Sequence, residues 1–313
     1  MKWKKYSPTF NFLPDCLDHV WFGHIFFAYD LMRNINPDVF VELGTYYGTS
    51  MSSFAQAVKD GSLKTRIFAV DCWEGDTNAG MYGEYVYTHV NALVKKYFSE
   101  VHISLVKKYF NEAVHDFEDN SIGILHIDGL HTYEAVKQDY QTWLPKMQNN
   151  GIILFHDIFV QEYGVKDLWK ELIISDKFSY LEFPQSFGLG VLFLDKKLFN
   201  DIFDGVDLSK LVSDYVNTAV EAITVQDVIQ AEIFGNIARA EMGKEINMLA
   251  EQRSKLENEL AMLSSELFEL KQEFSELRQQ NQELQSKIIN LQNKKAFRIL
   301  NRLMTTIGRP LMR

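Results

Sequence analysis

Acidic side chains stand at the carboxyl ends of several predicted strands, where they could act on a ligand. Asp71 ends RIFAVD, Asp128 ends IGILHID, and Asp157 follows His156 at the end of GIILFHD. Because the carboxyl ends of parallel strands meet at one edge of a sheet, we expect these groups to converge there. Two carboxylates can hold a hard cation such as Mg²⁺ and leave positions open for two oxygens of a diol. The pattern therefore predicts that a hydroxyl group is bound and activated at this edge.

His156 widens the choice of metal. The predicted ligand set Asp128, His156 and Asp157 suits manganese, iron or zinc as readily as magnesium. In the alternative, metal-free site, Asp128 caps a turn and His156 is a neutral, hydrogen-bonded histidine. His131 is the candidate general base beside Asp128, because an imidazole near its ordinary pKa can take a hydroxyl proton at neutral pH. The alternative for His131 is a water-exposed histidine at the start of a helix.

A loop with two glycines, VELGTYYGTS, joins the first predicted strand to a helix. Gly44 and Gly48 would let the backbone turn tightly and approach a ligand. Their G-x-x-x-G spacing differs from the G-x-G-x-x-G of dinucleotide-binding proteins, and the sequence has no G-K-[ST] phosphate loop. Glu42 precedes the first glycine, where its carboxylate would suit a cationic amino group. Asp71 follows Gly44 by 27 residues and could accept both ribose hydroxyls, so loop and acid together indicate a nucleoside cofactor.

Three segments carry a more specific resemblance: VELGTYYGTS, VDCWEGD and ILHIDGLHTYEAVKQDYQTWLPKMQNNGIILFHD. Over about residues 36–195 the chain resembles the class I S-adenosylmethionine-dependent methyltransferases, within them the branch of macrocin and rhamnosyl O-methyltransferases. The resemblance implies S-adenosylmethionine contacts from Glu42, Gly44 and Thr45 at the methionine moiety, Asp71 at the ribose, Cys72 or Trp73 beside the adenine, and Asn111 near the adenine amine. Relatives often carry serine at position 111. Catechol-type and sugar O-methyltransferases place two oxygen ligands on the fifth strand, whereas this chain has a histidine followed by Asp157.

Seven β-rich runs lie between residues 38 and 195: DVFVEL, RIFAVD, HISLV, IGILHID, GIILFHD, FSYLEF and LGVLFLD. Helical patterns separate most of them. Near-continuous apolar strands interleaved with helices predict an α/β fold with a doubly wound, Rossmann-like sheet that is mostly parallel. The last two runs are too close together for a helical crossover, so they predict an antiparallel pair at one sheet edge.

The C-terminal third has a heptad pattern over 46 residues without proline or glycine. Its d positions are Leu249, Leu256, Leu263, Leu270, Leu277, Leu284 and Leu291, and its a positions are Ile246, Arg253, Leu260, Leu267, Phe274, Asn281 and Ile288. This pattern predicts a parallel coiled coil about 70 Å long at 1.5 Å per residue. Asn281 and Arg253 favour a dimer, whereas the bulk of Phe274 would admit a third strand. The alternative is a single long helix packed on the domain.

The last twenty residues are basic, although the chain as a whole has a net charge of -10. They hold six basic side chains and no acidic one. A helix here would line one face with Ala296, Leu300, Leu303 and Ile307. Basic amphipathic helices bind anionic membrane surfaces, so we expect residues 294–313 to contact the inner membrane. Docking on the catalytic domain or on a partner protein is the alternative, and the acidic balance of the chain argues against a general nucleic-acid binder.

The chain is predicted to contain five segments: an aromatic-rich helical segment (1–35), the methyltransferase domain (36–195), a helical neck (196–241), the coiled coil (242–293) and the basic amphipathic tail (294–313). We expect the N-terminal aromatic residues to pack in the core rather than to form a lid over the acceptor, and the loop from Tyr82 to Tyr87 either to contact the acceptor or to pack. Two cysteines cannot make a disulfide framework, and no segment fits a signal peptide or a spanning helix. We therefore expect a cytoplasmic protein, peripheral at the inner membrane if the tail binds there.

The sequence thus predicts an S-adenosylmethionine-dependent O-methyltransferase that acts on a sugar hydroxyl. A coiled coil with a basic tail resembles the layout of bacterial enzymes that modify surface polysaccharides, so the expected glycan acceptor is a surface polysaccharide or a lipid-linked glycan. One alternative acceptor is the sugar of a soluble secondary metabolite. Another alternative is a catalytically silent scaffold for glycosyltransferases, against which the intact Gly44, Asp71, Asp128 and Asp157 argue.

Overall fold

Apolar strands alternate with amphipathic helices through most of the chain. The structure, a computed structural model, describes residues 2–76, 80–220 and 243–306. The chain divides into two units, Met1–Ile233 and Phe234–Arg313. One sheet in the first unit has seven strands: β1 (Val39–Leu43), β2 (Arg66–Asp71), β3 (Ile103–Lys107), β4 (Ile122–Ile127), β5 (Met147–His156), β6 (Ser179–Phe183) and β7 (Leu189–Phe193).

The strand order is β3-β2-β1-β4-β5-β7-β6. Strands β1 to β5 run parallel, whereas β7 is antiparallel to both β5 and β6. This confirms the predicted doubly wound, Rossmann-like sheet with an antiparallel edge pair. The order reverses between β1 and β4, and in such sheets ligands bind at the carboxyl ends of the strands beside the reversal.

Nine helices accompany the strands in the described residues. They are α1 (Ile25–Ile35), α2 (Thr49–Gly61), α3 (Glu84–Tyr97), α4 (Phe110–Ala113), α5 (Tyr133–Trp143), α6 (Val165–Ile174), α7 (Lys196–Phe203), α8 (208–220) and α9 (Gly243–Thr306). A short hairpin, Gly75–Asp76 with Gly80–Met81, follows β2.

The core has one apolar cluster on each face of the sheet, because successive side chains of a strand point to opposite faces. In β1, Phe40 belongs to the cluster that includes α1 and α2, and its ring lies 4.3 Å from that of Phe54. Val41 and Leu43 belong to the other cluster, with residues of α5 and α6. Both faces are therefore covered, as near-continuous apolar strands require.

The N-terminal segment is less helical than predicted. Residues 2–12 contain no helix, and only 3-10 turns at Leu13–Asp15 and Phe22–His24 precede α1. Pro14 lacks the backbone N–H that a continuing helix needs, so it lies in the first of these turns. The predicted packing of this segment is nevertheless present, since most of its aromatic side chains belong to the core cluster or pack against it.

The first and last parts of this unit are joined directly. The backbone N–H of Trp3 donates to the carbonyl of Ile202, and its indole N–H donates to the Tyr215 hydroxyl (3.1 Å). Phe203 and Tyr215 also belong to the core cluster, so residues 196–203 and 208–220 of the predicted neck pack with the unit that holds the seven-stranded sheet. Residues 221–241 lie outside the described ones.

Helix α9 is one unbroken helix of 64 residues that includes most of the predicted coiled coil and the start of the predicted tail. No break occurs at residue 294, and residues 307–313 lie outside the described part of the chain. Pairing of α9 with another chain stays a prediction. In the described ranges, no helix has both the length and the apolar composition that a bilayer span demands.

Candidate active site

A cavity of about 620 Å³ lies at the carboxyl ends of the central strands. Its wall includes most of the predicted site residues, namely Gly44, Thr45, Asp71, Cys72, Asn111, Asp128, His131, His156 and Asp157. The ends of β2 and β5 and the segments that follow β1 to β5 bring these residues together from parts of the chain that are up to 113 positions apart in the sequence. The predicted convergence at the edge of the sheet is therefore present.

Gly44 is required by the backbone of the first loop. Its φ is +91°, and a Cβ atom on it would lie 1.9 Å from the carbonyl oxygen of Asp128. Gly48 has a φ of +80° at the start of α2 and does not reach the cavity wall. The second glycine therefore turns the chain into the helix, and of the residues of this loop that were predicted to contact a cofactor, Gly44 and Thr45 line the cavity.

Asp71 is held by the backbone at the end of β2. The N–H of Tyr46 donates to its Oδ2 (2.9 Å), and the N–H of Trp73 donates to its Oδ1 (2.7 Å). Both bonds fix the carboxylate at the cavity wall. The Trp73 side chain is only 1% exposed and does not line the cavity. Its indole N–H donates to the carbonyl of Tyr46, and its ring packs on Tyr87. Of the two predicted adenine neighbours, only Cys72 lines the cavity.

Glu42 does not reach the cavity, so the predicted direct contact with a cationic amino group is wrong. It lies on the same face of β1 as Phe40, toward α2, because alternate residues of a strand share a face. Its Oε1 accepts hydrogen bonds from Ser50 Oγ (2.6 Å) and lies 3.0 Å from His126 Nδ1. Burial raises the pKa of Glu42, and His126 only partly offsets that effect. Glu42 thus supports the wall through Ser50, which does line the cavity.

Asp128, His131 and Asp157 form a cluster whose candidate ligand atoms all lie within 4.8 Å of one another. His131 Nε2 lies 2.9 Å from Asp157 Oδ2 and 3.7 Å from Asp128 Oδ1. The His131 ring stacks on Tyr163 with centroids 4.4 Å apart, so it is not the water-exposed histidine of the alternative. The third ligand that the geometry offers is therefore His131.

His156 takes a different position from the one predicted. Its Nε2 lies 2.9 Å from the carbonyl oxygen of Ser186, and its Nδ1 lies 3.3 Å from Asp128 Oδ1 and 3.4 Å from Asp157 Oδ1. Both ring nitrogens are engaged, so the geometry favours His131 over His156 as the third candidate ligand. His156 lines the cavity with only 2% of its side chain exposed and contacts both carboxylates.

The charges in this cluster compensate one another. Burial by itself would lower the pKa of His156, but Asp128 and Asp157 raise it to about 10. The same two carboxylates outweigh burial at His131 and raise its pKa to about 9. Burial would raise the pKa of Asp128, yet His156 and His131 hold it well below its ordinary value. The two carboxylates therefore favour the protonated form of both imidazoles, which acts against the near-ordinary pKa that the sequence analysis expected of His131.

One wall of the cavity comes from the N-terminal segment, whose aromatic residues were expected to pack in the core. Asp18, Val20 and Trp21 line it. The carbonyl of Asp18 accepts from Thr49 Oγ1 (2.9 Å), and its Oδ1 accepts from the N–H of Val20 (3.1 Å). Burial raises the pKa of Asp18. No sequence signal marked Asp18, because its partner Thr49 is 31 residues away.

A second wall that the sequence analysis missed is the loop 184–188. Ser186 and Phe187 have φ values of 45° and 66°, and Phe187 lines the cavity while it is 55% exposed. The loop is tied to the N-terminal segment, because the N–H of Gly23 donates to Ser186 Oγ (3.0 Å) and Gln185 Nε2 donates to the carbonyl of Gly23 (2.9 Å). These ties hold the Phe187 ring at the cavity.

The loop from Tyr82 to Tyr87, a predicted candidate for acceptor contact, reaches the cavity only at its first residue. Tyr82 lines the cavity, with its ring centroid 5.2 Å from that of Tyr46. Tyr85 and Tyr87 belong to the first turn of α3, and neither lines the cavity.

Acidic and aromatic groups dominate the cavity. Its acidic residues are Asp18, Asp71, Asp128, Asp139 and Asp157, whereas no lysine or arginine is among the described residues of the wall. Burial raises the pKa of Asp139 to about 7. The wall therefore suits neutral or cationic ligands better than phosphate or carboxylate groups.

A family of known domains matches the part of the chain that holds most of these site residues. Residues 41–158 match the family model described as a methyltransferase domain. Over 182 residues the chain is 43% identical to the uncharacterized protein y4gI of Sinorhizobium fredii (strain NBRC 101917 / NGR234), a match that covers 57% of this chain and 19% of that protein. The chain thus spans about a fifth of the length of this curated relative.

Solved structures with a similar fold include two methyltransferases. The S-adenosylhomocysteine-bound methyltransferase PaMTH1 of Podospora anserina is 15% identical, with a TM-score of 0.43 over 54% of this chain and 76% of the other. A putative caffeoyl-CoA O-methyltransferase of Staphylococcus aureus is also 15% identical, with a TM-score of 0.44 over 56% of this chain and 84% of the other.

Proposed function

We propose that this chain is an S-adenosylmethionine-dependent O-methyltransferase that methylates a sugar hydroxyl. The observation that carries the proposal is the single cavity that unites the Gly44 loop and Asp71 with the cluster of Asp128, His131 and Asp157. The Gly44 loop, Asp71 and the cluster lie within residues 41–158, which match a methyltransferase domain. The residues that would hold the cofactor (the cofactor half) and those that would activate a hydroxyl (the activating half) thus line the same cavity.

The cofactor half fits S-adenosylmethionine. Gly44 and Thr45 would lie along the methionine moiety, where the absence of a Cβ at Gly44 allows the close approach of the loop to the Asp128 carbonyl. Asp71 would accept the ribose hydroxyls, since each carboxylate oxygen has two lone pairs and can accept more than its backbone N–H bond. Cys72 and Asn111 would flank the adenine from the same wall.

The activating half has a donor set that fits a divalent cation. Asp128 and Asp157 supply oxygen and His131 supplies nitrogen, a set that suits Mg²⁺, Mn²⁺, Fe²⁺ or Zn²⁺. A cation held there would lower the pKa of a bound hydroxyl. In a metal-free site Asp128 and Asp157 would instead hold His131 through its Nε2, and the hydroxyl proton would pass to this cluster of three side chains.

The reaction needs no covalent enzyme intermediate. The acceptor oxygen forms a bond to the methyl carbon as the bond from carbon to the sulfonium sulfur breaks. The sulfur keeps the electron pair, S-adenosylhomocysteine leaves, and the hydroxyl proton passes to a base. Because the step is an in-line displacement, its rate depends on holding oxygen, carbon and sulfur collinear. The walls of the cavity contribute this alignment.

Two features of the wall support a glycan acceptor. Phe187 and Tyr82 offer aromatic surface for a sugar ring, and Asp18 offers a carboxylate for its hydroxyls. No lysine or arginine is available in the described wall for a phosphate at the reacting end. A surface polysaccharide or a lipid-linked glycan is the proposed acceptor, and the sugar of a soluble metabolite is the alternative.

Methyl-labelled S-adenosylmethionine tests this proposal when it is incubated with lipid-linked glycans and matched free glycans, each with and without a chelator. Label that appears on lipid-linked glycan alone would support the proposed acceptor. Label on free sugars alone would favour the alternative, and the absence of label from every glycan would contradict sugar methylation.

A further inference from the structure

Helix α9 presents an apolar stripe along much of its length. The apolar residues at a and d positions whose side chains are described are 52% to 69% exposed: Leu256, Leu260, Leu263, Leu270, Phe274, Leu277, Leu284, Ile288 and Leu291. A stripe of two residues in seven is the width of a coiled-coil seam. So long an apolar stripe on a single helix indicates an interaction surface.

Charges beside the stripe identify the partner. Glu273 is a g position and Arg278 is the e position of the next heptad, and Glu266 and Lys271 repeat the same pattern. In a parallel, in-register pair of identical helices, each g residue faces the e residue of the following heptad in the other helix. Both of these pairs then join opposite charges. The remaining g and e pairs between Gln252 and Gln292 contain no like charges.

An antiparallel pair fits the sequence less well. It would place g positions beside g positions, and three successive g positions are Glu259, Glu266 and Glu273. It would also pair a layers with d layers, so Asn281 would face a leucine and its buried amide would have no partner. In the parallel arrangement the two Asn281 side chains meet and can hydrogen-bond to each other.

From these observations we infer that α9 pairs with α9 of a second copy of this chain as a parallel, in-register, two-stranded coiled coil. The seam consists of the heptad leucines and the a residues, Asn281 fixes the register, and the pairs of Glu273 with Arg278 of the second copy flank it. This inference does not depend on the methyltransferase activity.

Charge reversal in the full-length protein tests the pairing. Glu273→Lys places a lysine against Arg278 at both sides of the dimer, so we expect the dimer dissociation constant to rise about tenfold in sedimentation equilibrium. Glu276→Lys makes the same charge change at a c position outside the seam and is the matched control. When equal amounts of the Glu273→Lys and Arg278→Glu proteins are mixed, heterodimers should exceed the half of all dimers that random pairing gives. In the heterodimer both pairs between positions 273 and 278 join opposite charges.

Orientation is tested by cysteine cross-linking of the full-length protein. Under oxidation, Ile288→Cys should form a disulfide-linked dimer, because equal a positions meet only in a parallel, in-register pair. Gln279→Cys, at an outward f position, is the control that also accounts for the native cysteines. A monomer or trimer in sedimentation, a statistical mixture of the two charge variants, or no cross-link specific to Ile288→Cys would each overturn the inference.

Discussion

At the scale of single residues, Asp71 is the group on which the cofactor assignment depends. Asp71→Ala removes the acceptor for the ribose hydroxyls, so we expect S-adenosylmethionine binding to weaken by about 1 to 3 kcal/mol. The exposed Asp38 precedes the amino end of β1, and Asp38→Ala is the control of equal charge. Calorimetry that finds equal affinity in the Asp71→Ala and wild-type proteins would remove Asp71 from the cofactor site.

Asp128 and Asp157 are expected to act on the acceptor rather than on cofactor affinity. Asp128→Asn and Asp157→Asn should therefore each reduce turnover far more than S-adenosylmethionine binding. A chelator should reproduce the loss, and added Mg²⁺ or Mn²⁺ should restore activity only in the wild type. Full activity in excess chelator would assign hydroxyl activation to His131 alone.

The choice between His131 and His156 as metal ligand is a separate residue-scale question. Because His131 lies with the two carboxylates and His156 is bound to the Ser186 carbonyl, His131→Ala should weaken Mn²⁺ binding more than His156→Gln does. Mn²⁺ titration followed by electron paramagnetic resonance measures this directly. The reverse ranking would restore the ligand set that the sequence predicted.

At the scale of elements, the N-terminal segment contributes a wall of the cavity in addition to its packing. Asp18→Asn keeps the size of the side chain and removes its charge, so the KM for the acceptor should rise about fivefold, the equivalent of one hydrogen bond. Affinity for S-adenosylmethionine should stay unchanged. Asp15→Asn is the matched control, because Asp15 pairs with Lys96 and does not line the cavity. An unchanged KM in Asp18→Asn would exclude Asp18 from the acceptor site.

The elements were largely predictable, whereas contacts between distant elements were not. Each central strand is an apolar run, so pattern alone located β1 to β7, but the polar start of β5 at residues 148–150 carried no such signal.

Gly44 and Asp71 were predictable site residues because each lies in a local motif at the carboxyl end of a predicted strand. The cavity contact predicted for Glu42 is absent because its carboxylate is buried beside His126, its neighbour on β4. The register of one strand against the next cannot be read from the sequence of a single strand. Asp18 and Phe187 reach the cavity through long-range hydrogen bonds that leave no local pattern.

At the scale of the whole molecule, the end of α9 is proposed to bind a membrane surface. Phe297, Leu300 and Leu303 are more than half exposed, and Arg298 and Arg302 lie between them in the sequence. Full-length protein should sediment with anionic liposomes at low salt and not with neutral ones. Deletion of residues 294–313 should abolish sedimentation and leave the dimer intact, because the heptads end at Leu291. Liposome binding that is indifferent to the deletion would assign these side chains to another surface.

The central claim is that one cavity holds S-adenosylmethionine with its reactive end toward the cluster of Asp128, His131 and Asp157. A crystal structure of the full chain with S-adenosylhomocysteine measures this most directly. The account predicts that the ribose hydroxyls contact Asp71, that the adenine lies beside Cys72 and Asn111, and that the sulfur faces the cluster. A ligand bound elsewhere, or one whose sulfur points away from the three residues, would contradict it.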